Sequence, residues 1–135
     1  MESVIYSEEQ LREKCAEWQK ILRLQDWVVV TGITRERDMN LKNCNANISI
    51  NLDHRSANIQ LIDPVDYDPD ELFPQDMEKH LVHELLHIHL FPMTKSYEGI
   101  MAMFEEQAIN MIADSIITLY RRGGETKDEK NSDLR

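Results

Sequence analysis

Between Ser7 and Leu24 the apolar side chains fall at Leu11, Cys15, Trp18, Ile21 and Leu22. Those spacings of three and four put them on one face of an amphipathic helix. Ser7, just ahead of Glu9 and Gln10, stands where an N-cap belongs. The period then changes. Trp27-Val28-Val29-Val30-Thr31 is β-branched and too short for a helix, so it reads as a buried strand, with Gly32 marking its end or a bulge. After a polar, Asn-rich loop over residues 35–45 come two alternating stretches, Ala46-Asn47-Ile48-Ser49-Ile50 and Ala57-Asn58-Ile59-Gln60-Leu61. Joined through Asp53-His54-Arg55-Ser56, they predict a β-hairpin with Ile48, Ile50, Ile59 and Leu61 against a core and wet opposite faces.

The segment 63–74 holds Pro64, Pro69 and Pro74 and no Lys or Arg, which predicts a loop. From Gln75 to Phe91 the positions Met77, Leu81, Leu85 and Ile88 repeat helically. Asp76 and Glu78 lie in the first turn, where they oppose the helix dipole, and Pro92 is expected to end the helix. A last helix, Tyr97 to Arg121, carries the apolar stripe Met101, Phe104, Ala108, Met111, Ile112, Ser115 and Leu119, with Gly123-Gly124 as its stop. The result is an α+β fold: one domain over residues 1–122 with an N-terminal helix, a small three-stranded sheet and two further helices. Residues 123–135 form a polar tail expected to be disordered.

Composition narrows the partners. The chain has 135 residues, 25 acidic and 15 basic, for a formal charge of −10. Nucleic acids and anionic membranes are held by clustered Lys and Arg, so neither is expected here. Cys15 and Cys44 make no disulfide framework and no CxxC pair, which fits a reducing compartment. The first ten residues lack the apolar region of a signal peptide, no run reaches membrane-spanning length, and the expected location is the cytoplasm. The charge is local: residues 63–78 hold Asp63, Asp66, Asp68, Asp70, Glu71, Asp76 and Glu78 and no base. A solvated loop with helix-dipole pairing accounts for them; the sharper alternative is an acidic lip that selects Lys or Arg in a substrate.

Within the fourth element stands His83-Glu84-Leu85-Leu86-His87. On a helix, residues four apart share a face, so both imidazoles can reach one metal while Glu84 can touch a water beside it. A catalytic zinc takes three protein ligands and keeps one position open, so a third ligand is required. Glu106 follows His87 after eighteen residues, on a stripe Met103, Glu106, Asn110, Ala113 and Ile117 beside the core stripe. Asn110, one turn on, is placed to support a ligand by hydrogen bonding. Glu105 competes but has Ile109 rather than Asn110 four residues later, and Glu98 is a weaker third candidate. His80, on the face of His83, could line the cleft but reads more simply as a helix-surface residue, and His89 falls off that face, solvated or capping the helix end.

HExxH, about eighteen residues, then a helical Glu with Asn four positions on resembles the gluzincin group of zinc metallopeptidases. The small size is similar to minigluzincins, and the Glu106, Asn110, Ala113 run is similar to the ImmA/IrrE-type peptidases of phages and mobile elements. The resemblance implies a zincin-like domain with one zinc held by His83, His87 and Glu106. It further implies Glu84 as general base toward water attacking a peptide carbonyl, and a peptide or protein substrate. By the same analogy an edge strand, matched to Ala57–Leu61, adds the substrate backbone to the sheet. Larger members place a His or Tyr from a following domain over the tetrahedral intermediate; here Tyr97 and His54 are the nearest candidates, with zinc alone as the alternative. Peptide deformylases pair HExxH with an upstream Cys, but Asn43-Cys44-Asn45 lacks their flanking residues, and Cys44 reads as a loop thiol. An open cleft also implies a narrow substrate or a regulatory partner. The alternative function is a regulatory or binding module that keeps the zincin fold with structural zinc.

Overall fold

The computed structural model describes the backbone of residues 2–133 and the side chains of residues 2–124. The chain divides into two compact units, residues 1–96 and 97–135. Among the described residues the architecture is α+β, with three α-helices and one three-stranded mixed sheet. Among the described residues no helix is long and apolar enough to cross a membrane.

The first unit opens with α1, Glu8–Ile21. Ser7 caps it as expected: its Oγ accepts from the Gln10 N–H at 3.2 Å while Gln10 Oε1 accepts from the Ser7 N–H at 2.9 Å. This reciprocal pair satisfies two amides that would otherwise lack partners at the helix start. Leu11, Cys15 and Trp18 are buried along one face, as their spacing predicts. Gln19 then fixes the exit, its Nε2 donating to Leu24 O at 3.1 Å and Trp27 O at 2.9 Å.

Strand β1 (Val28–Thr34), β2 (Ala46–Asn51) and β3 (Ser56–Ile62) form a sheet in the order β1-β3-β2. The β2–β3 hairpin is present, antiparallel, with Ile48 opposite Ile59 and Ile50 opposite Ala57. Four expectations change. Strand β1 is parallel to β3 and sits at an edge, so Val28 and Val30 stay 64% and 59% exposed rather than buried. Gly32 neither ends the strand nor bulges, since it pairs in register with Gln60 and the ladder continues to Thr34 and Ile62. The stretch Ala57–Leu61 has no free edge, because β3 lies between the other two strands and both its backbone edges are paired. Nor is the second face of the hairpin uniformly wet, for Asn47 and Ile62 are buried on it.

The loop after β3 contains one 3-10 turn, Pro64–Asp66, and leads into α2, Met77–Thr94. Gln75, buried, donates to Ile62 O at 2.8 Å, and residue Val4 bridges Asp76 through backbone bonds to Gln75 and Met77. The helix start is thus held from both sides. Asp76 caps it, accepting from the Lys79 N–H. Glu78 does more than oppose the dipole: it is buried, accepts from Trp18 Nε1 at 3.0 Å and pairs with Lys14 Nζ at 3.5 Å, tying α2 to α1. Met77, Leu81, Leu85 and Ile88 are all buried, as predicted. Pro92 lies inside the helix rather than ending it. A proline in the last turn removes one backbone bond and leaves those on either side, and Lys95 N still donates to Phe91 O.

The second unit is built on α3, Gly99–Asp133. Among its described side chains the buried ones are Ile109, Ala113 and Ile117. The stripe expected to form the core points elsewhere, with Phe104, Met111 and Leu119 at 50%, 65% and 67% exposure. Apolar residues run around much of this helix, so spacing alone does not select the face that is covered. The helix also passes through Gly123 and Gly124; two glycines cost roughly 1 kcal/mol each without forcing a break. Of the tail expected to be disordered over residues 123–135, the backbone as far as Asp133 continues α3, while the side chains from residue 125 and all of residues 134–135 lie outside those described.

Candidate metal centre

Helix α2 is anchored by Leu81, Val82, Leu85, Leu86 and Ile88, all buried, and this fixes the direction of the remaining face. His83 and His87 project from that face half-buried, one turn apart, while Glu84 next to them is only 6% exposed. The ligand-capable atoms of these three residues all lie within 4.8 Å of one another. The two imidazoles meet edge to face, with centroids 5.1 Å apart and planes at 62°. Two ligands on one tetrahedral zinc stand about 3.4 Å apart, so small side-chain rotations suffice for both rings to bind one ion. The donor set of two imidazoles and a carboxylate suits zinc.

The neighbouring histidines have separate work. His80, expected on the surface, is half-buried, and its Nδ1 is shielded from solvent without a hydrogen-bond partner. Burial lowers its pKa to about 4, with Asp76 pulling the other way and His83 and Lys79 adding to the fall. His80 is therefore a neutral imidazole behind the pair. His89 is exposed on α2, and one ring nitrogen lies 2.7 Å from Leu22 O, the C-cap residue of α1. It satisfies the end of a neighbouring helix rather than its own.

Cys44 lies on the approach to β2, half-buried, outside the three-residue group. Burial raises its thiol above the usual range; Asn47 and the Ala46 backbone counter that rise, and the Glu84 carboxylate adds to it. The thiol is thus within electrostatic reach of Glu84, which the sequence separation of forty residues concealed. His54 sits exposed in the hairpin turn, its backbone N–H bonded to Asn51 Oδ1, and is not among the grouped residues.

Glu106, Asn110 and Tyr97 belong to the second unit. On α3, Glu106 precedes Ala113 by seven residues and Ile117 by eleven, which puts it on their buried face, yet Glu106 itself is exposed. Asn110 is exposed one turn on, Glu105 is half-buried, and Tyr97 is 38% exposed.

Most of the acidic run before α2 is engaged locally. Asp66 binds Arg35 Nε at 2.7 Å and the Glu36 N–H at 2.9 Å, contacts that hold its carboxyl below the usual range. Asp63 and Asp68 accept from the N–H groups of Val65 and Asp70, and Asp76 and Glu78 serve α2 as described. Capping, turn formation and ion pairing engage these five carboxylates. Neither the partners of Glu78 nor the burial of His80 has a signal in the hydrophobic pattern, since both arise from which element packs nearby. Comparison of the chain with protein-family models, with curated proteins and with solved structures returns no match.

Proposed function

We propose that the chain is a small zinc-dependent metallopeptidase of gluzincin type, with a zincin-like fold. The observation that carries this reading is the convergence of His83, Glu84 and His87 within 4.8 Å on a helix whose Leu81, Leu85 and Ile88 face is buried. His83 and His87 would hold zinc through imidazole nitrogens, with Glu106 as third ligand and Asn110 bonded behind a ligand. Zinc supplies Lewis acidity and brings the acidity of water near neutral pH. Glu84, nearly buried beside the pair, takes a proton from the attacking water and passes it to the leaving amine. An extended peptide adds to the outer edge of β2, since that strand is unpaired on one side and packs against α2. Tyr97 or His54 would donate to the developing oxyanion.

Elemental analysis of the purified chain after exposure to zinc, together with cleavage of a broad peptide library, tests the reading. One zinc per chain and cleavage lost in Glu84→Gln are expected. A chain that takes up no zinc removes the proposal. Zinc retained with the whole library uncut replaces it with a binding module in which the metal is structural.

A further inference from the structure

Helix α3 leaves an apolar seam uncovered. Met101, Phe104, Ala108, Met111, Ser115 and Thr118 follow spacings of three and four, the a and d positions of successive heptads. Every one of them is exposed, Phe104 at 50% and Met111 at 65%. Ile112 and Leu119 widen the seam on one side and Ile100 on the other, all three exposed. The buried residues Ile109, Ala113 and Ile117 occupy the b, f and c positions, the far side of the helix, and Glu106 is also at f. From Met101 to Leu119 the seam is about 27 Å long at 1.5 Å per residue. A contiguous apolar surface of that length marks an interaction site.

We infer that this seam pairs with the same seam of a second copy of the chain, the two α3 helices running antiparallel. Size complementarity carries the argument. With Ala108 set opposite Met111 of the second copy, Phe104 falls opposite Ser115 and Met101 opposite Thr118. The two-fold axis repeats each layer, and in every one a long side chain meets a short one, the condition for knobs to fill holes without voids. A parallel pair would stack Phe104 on Phe104 and Ala108 on Ala108, alternating crowding with gaps. The hydroxyls do not oppose burial, because Ser115 Oγ donates to Met111 O at 2.9 Å and Thr118 Oγ1 to Asp114 O at 2.7 Å within the helix.

Charge selects the same orientation. Residues 98–109 contain Glu98, Glu105 and Glu106 and no Lys or Arg, whereas Arg121 and Arg122 stand just past the other end of the seam. In this register antiparallel pairing brings Arg121 and Arg122 to the end of the seam where Glu98 of the second copy lies; a parallel pair would set like charges together. The helix dipoles also oppose favourably only in the antiparallel arrangement. The seam lies across the helix from Glu106 and Asn110, so pairing leaves their face uncovered.

Sedimentation equilibrium on the full chain tests this, together with cross-linking of an Ala108→Cys, Met111→Cys double variant. A dimer is expected at about 10 μM, with Met111→Glu raising its dissociation constant at least 100-fold, about 2.7 kcal/mol. In the double variant, oxidation and peptide mapping should join position 108 of one copy to position 111 of the other. A chain monomeric to about 200 μM overturns the inference and leaves the seam to a different protein. Links joining 108 to 108 overturn the antiparallel pairing, and this readout stands even where Met111→Glu fails to fold.

Discussion

Helices α2 and α3 are both amphipathic by their sequence patterns, yet the structure treats them differently. In α2 the positions Met77, Leu81, Leu85 and Ile88 are buried where the pattern puts them, and the polar residues His83 and His87 are left to share a face. In α3 the strongest apolar stripe is exposed and a weaker one, Ile109, Ala113 and Ile117, is covered. The contrast shows that periodicity identifies faces but ranks them correctly only when one face alone is apolar. Where two faces are apolar, each can have its own occupant, and chemistry-bearing residues such as Glu106 then follow the face that the simple ranking discards.

The largest expected effect separates the two helices by chemistry. Glu84→Gln should lower peptide hydrolysis by roughly 10²–10⁴-fold while leaving bound zinc unchanged, since a general base contributes on that scale. His87→Ala should lose the metal itself. On α3, Glu106→Gln should weaken zinc retention during dialysis and Glu105→Gln should not, because only Glu106 is an exposed carboxylate on the buried face. The reverse result would move the third ligand to Glu105.

Packing separates them next. Leu85→Ala removes a fully buried side chain from α2 and should cost about 2–5 kcal/mol in urea denaturation. Met111→Ala, truncating a side chain 65% exposed on α3, should change monomer stability by less than about 0.5 kcal/mol. Equal losses would mean that the α3 seam is covered within the chain itself and would break the comparison.

Much of this was legible in the sequence because it depended on local rules. The Ser7 cap, the β2–β3 hairpin and the inward face of α2 each follow from neighbouring residues. What escaped depended on strand order and on contacts distant in sequence. Nothing in Ala57–Leu61 reveals that β1 will pair beside it and close its edge, because two alternating strands and a β-branched one can be ordered several ways. Glu78 reads as a first-turn acid, and its burial against Trp18 depends on α1 packing there, sixty residues earlier. The HExxH group was found because its spacing is a local property, whereas Cys44 near Glu84 was weighed only by its flanking residues, and those carry no distance.

A smaller effect probes the interior of α2 through pH. His80 has a folded pKa near 4 against an unfolded value near 6.5, so between those values the unfolded chain binds the extra proton. Its contribution is fully present above about pH 6.5 and is lost as pH falls toward 4, amounting to about 3 kcal/mol. His80→Gln should flatten the stability profile of the metal-free chain over that window. An unchanged slope would show that His80 reaches solvent, and α2 would no longer be the helix with the settled interior.

The smallest effect returns to α3. Gly123 and Gly124 are helical, and a Cβ at either would meet no atom within 4 Å. Neither has the positive φ that penalises side chains, so substitution faces only the entropy and propensity terms, which favour alanine. Gly124→Ala should therefore stabilise the helix by about 1 kcal/mol and raise the far-ultraviolet helical signal of the full chain. In the dimer this gain should also appear as tighter association, because Arg121 and Arg122 precede the glycines and a firmer helix end holds them beside Glu98 of the second copy. Helicity that rises while association stays unchanged would separate the two, leaving the apolar layers, rather than the charged end, to determine the pairing.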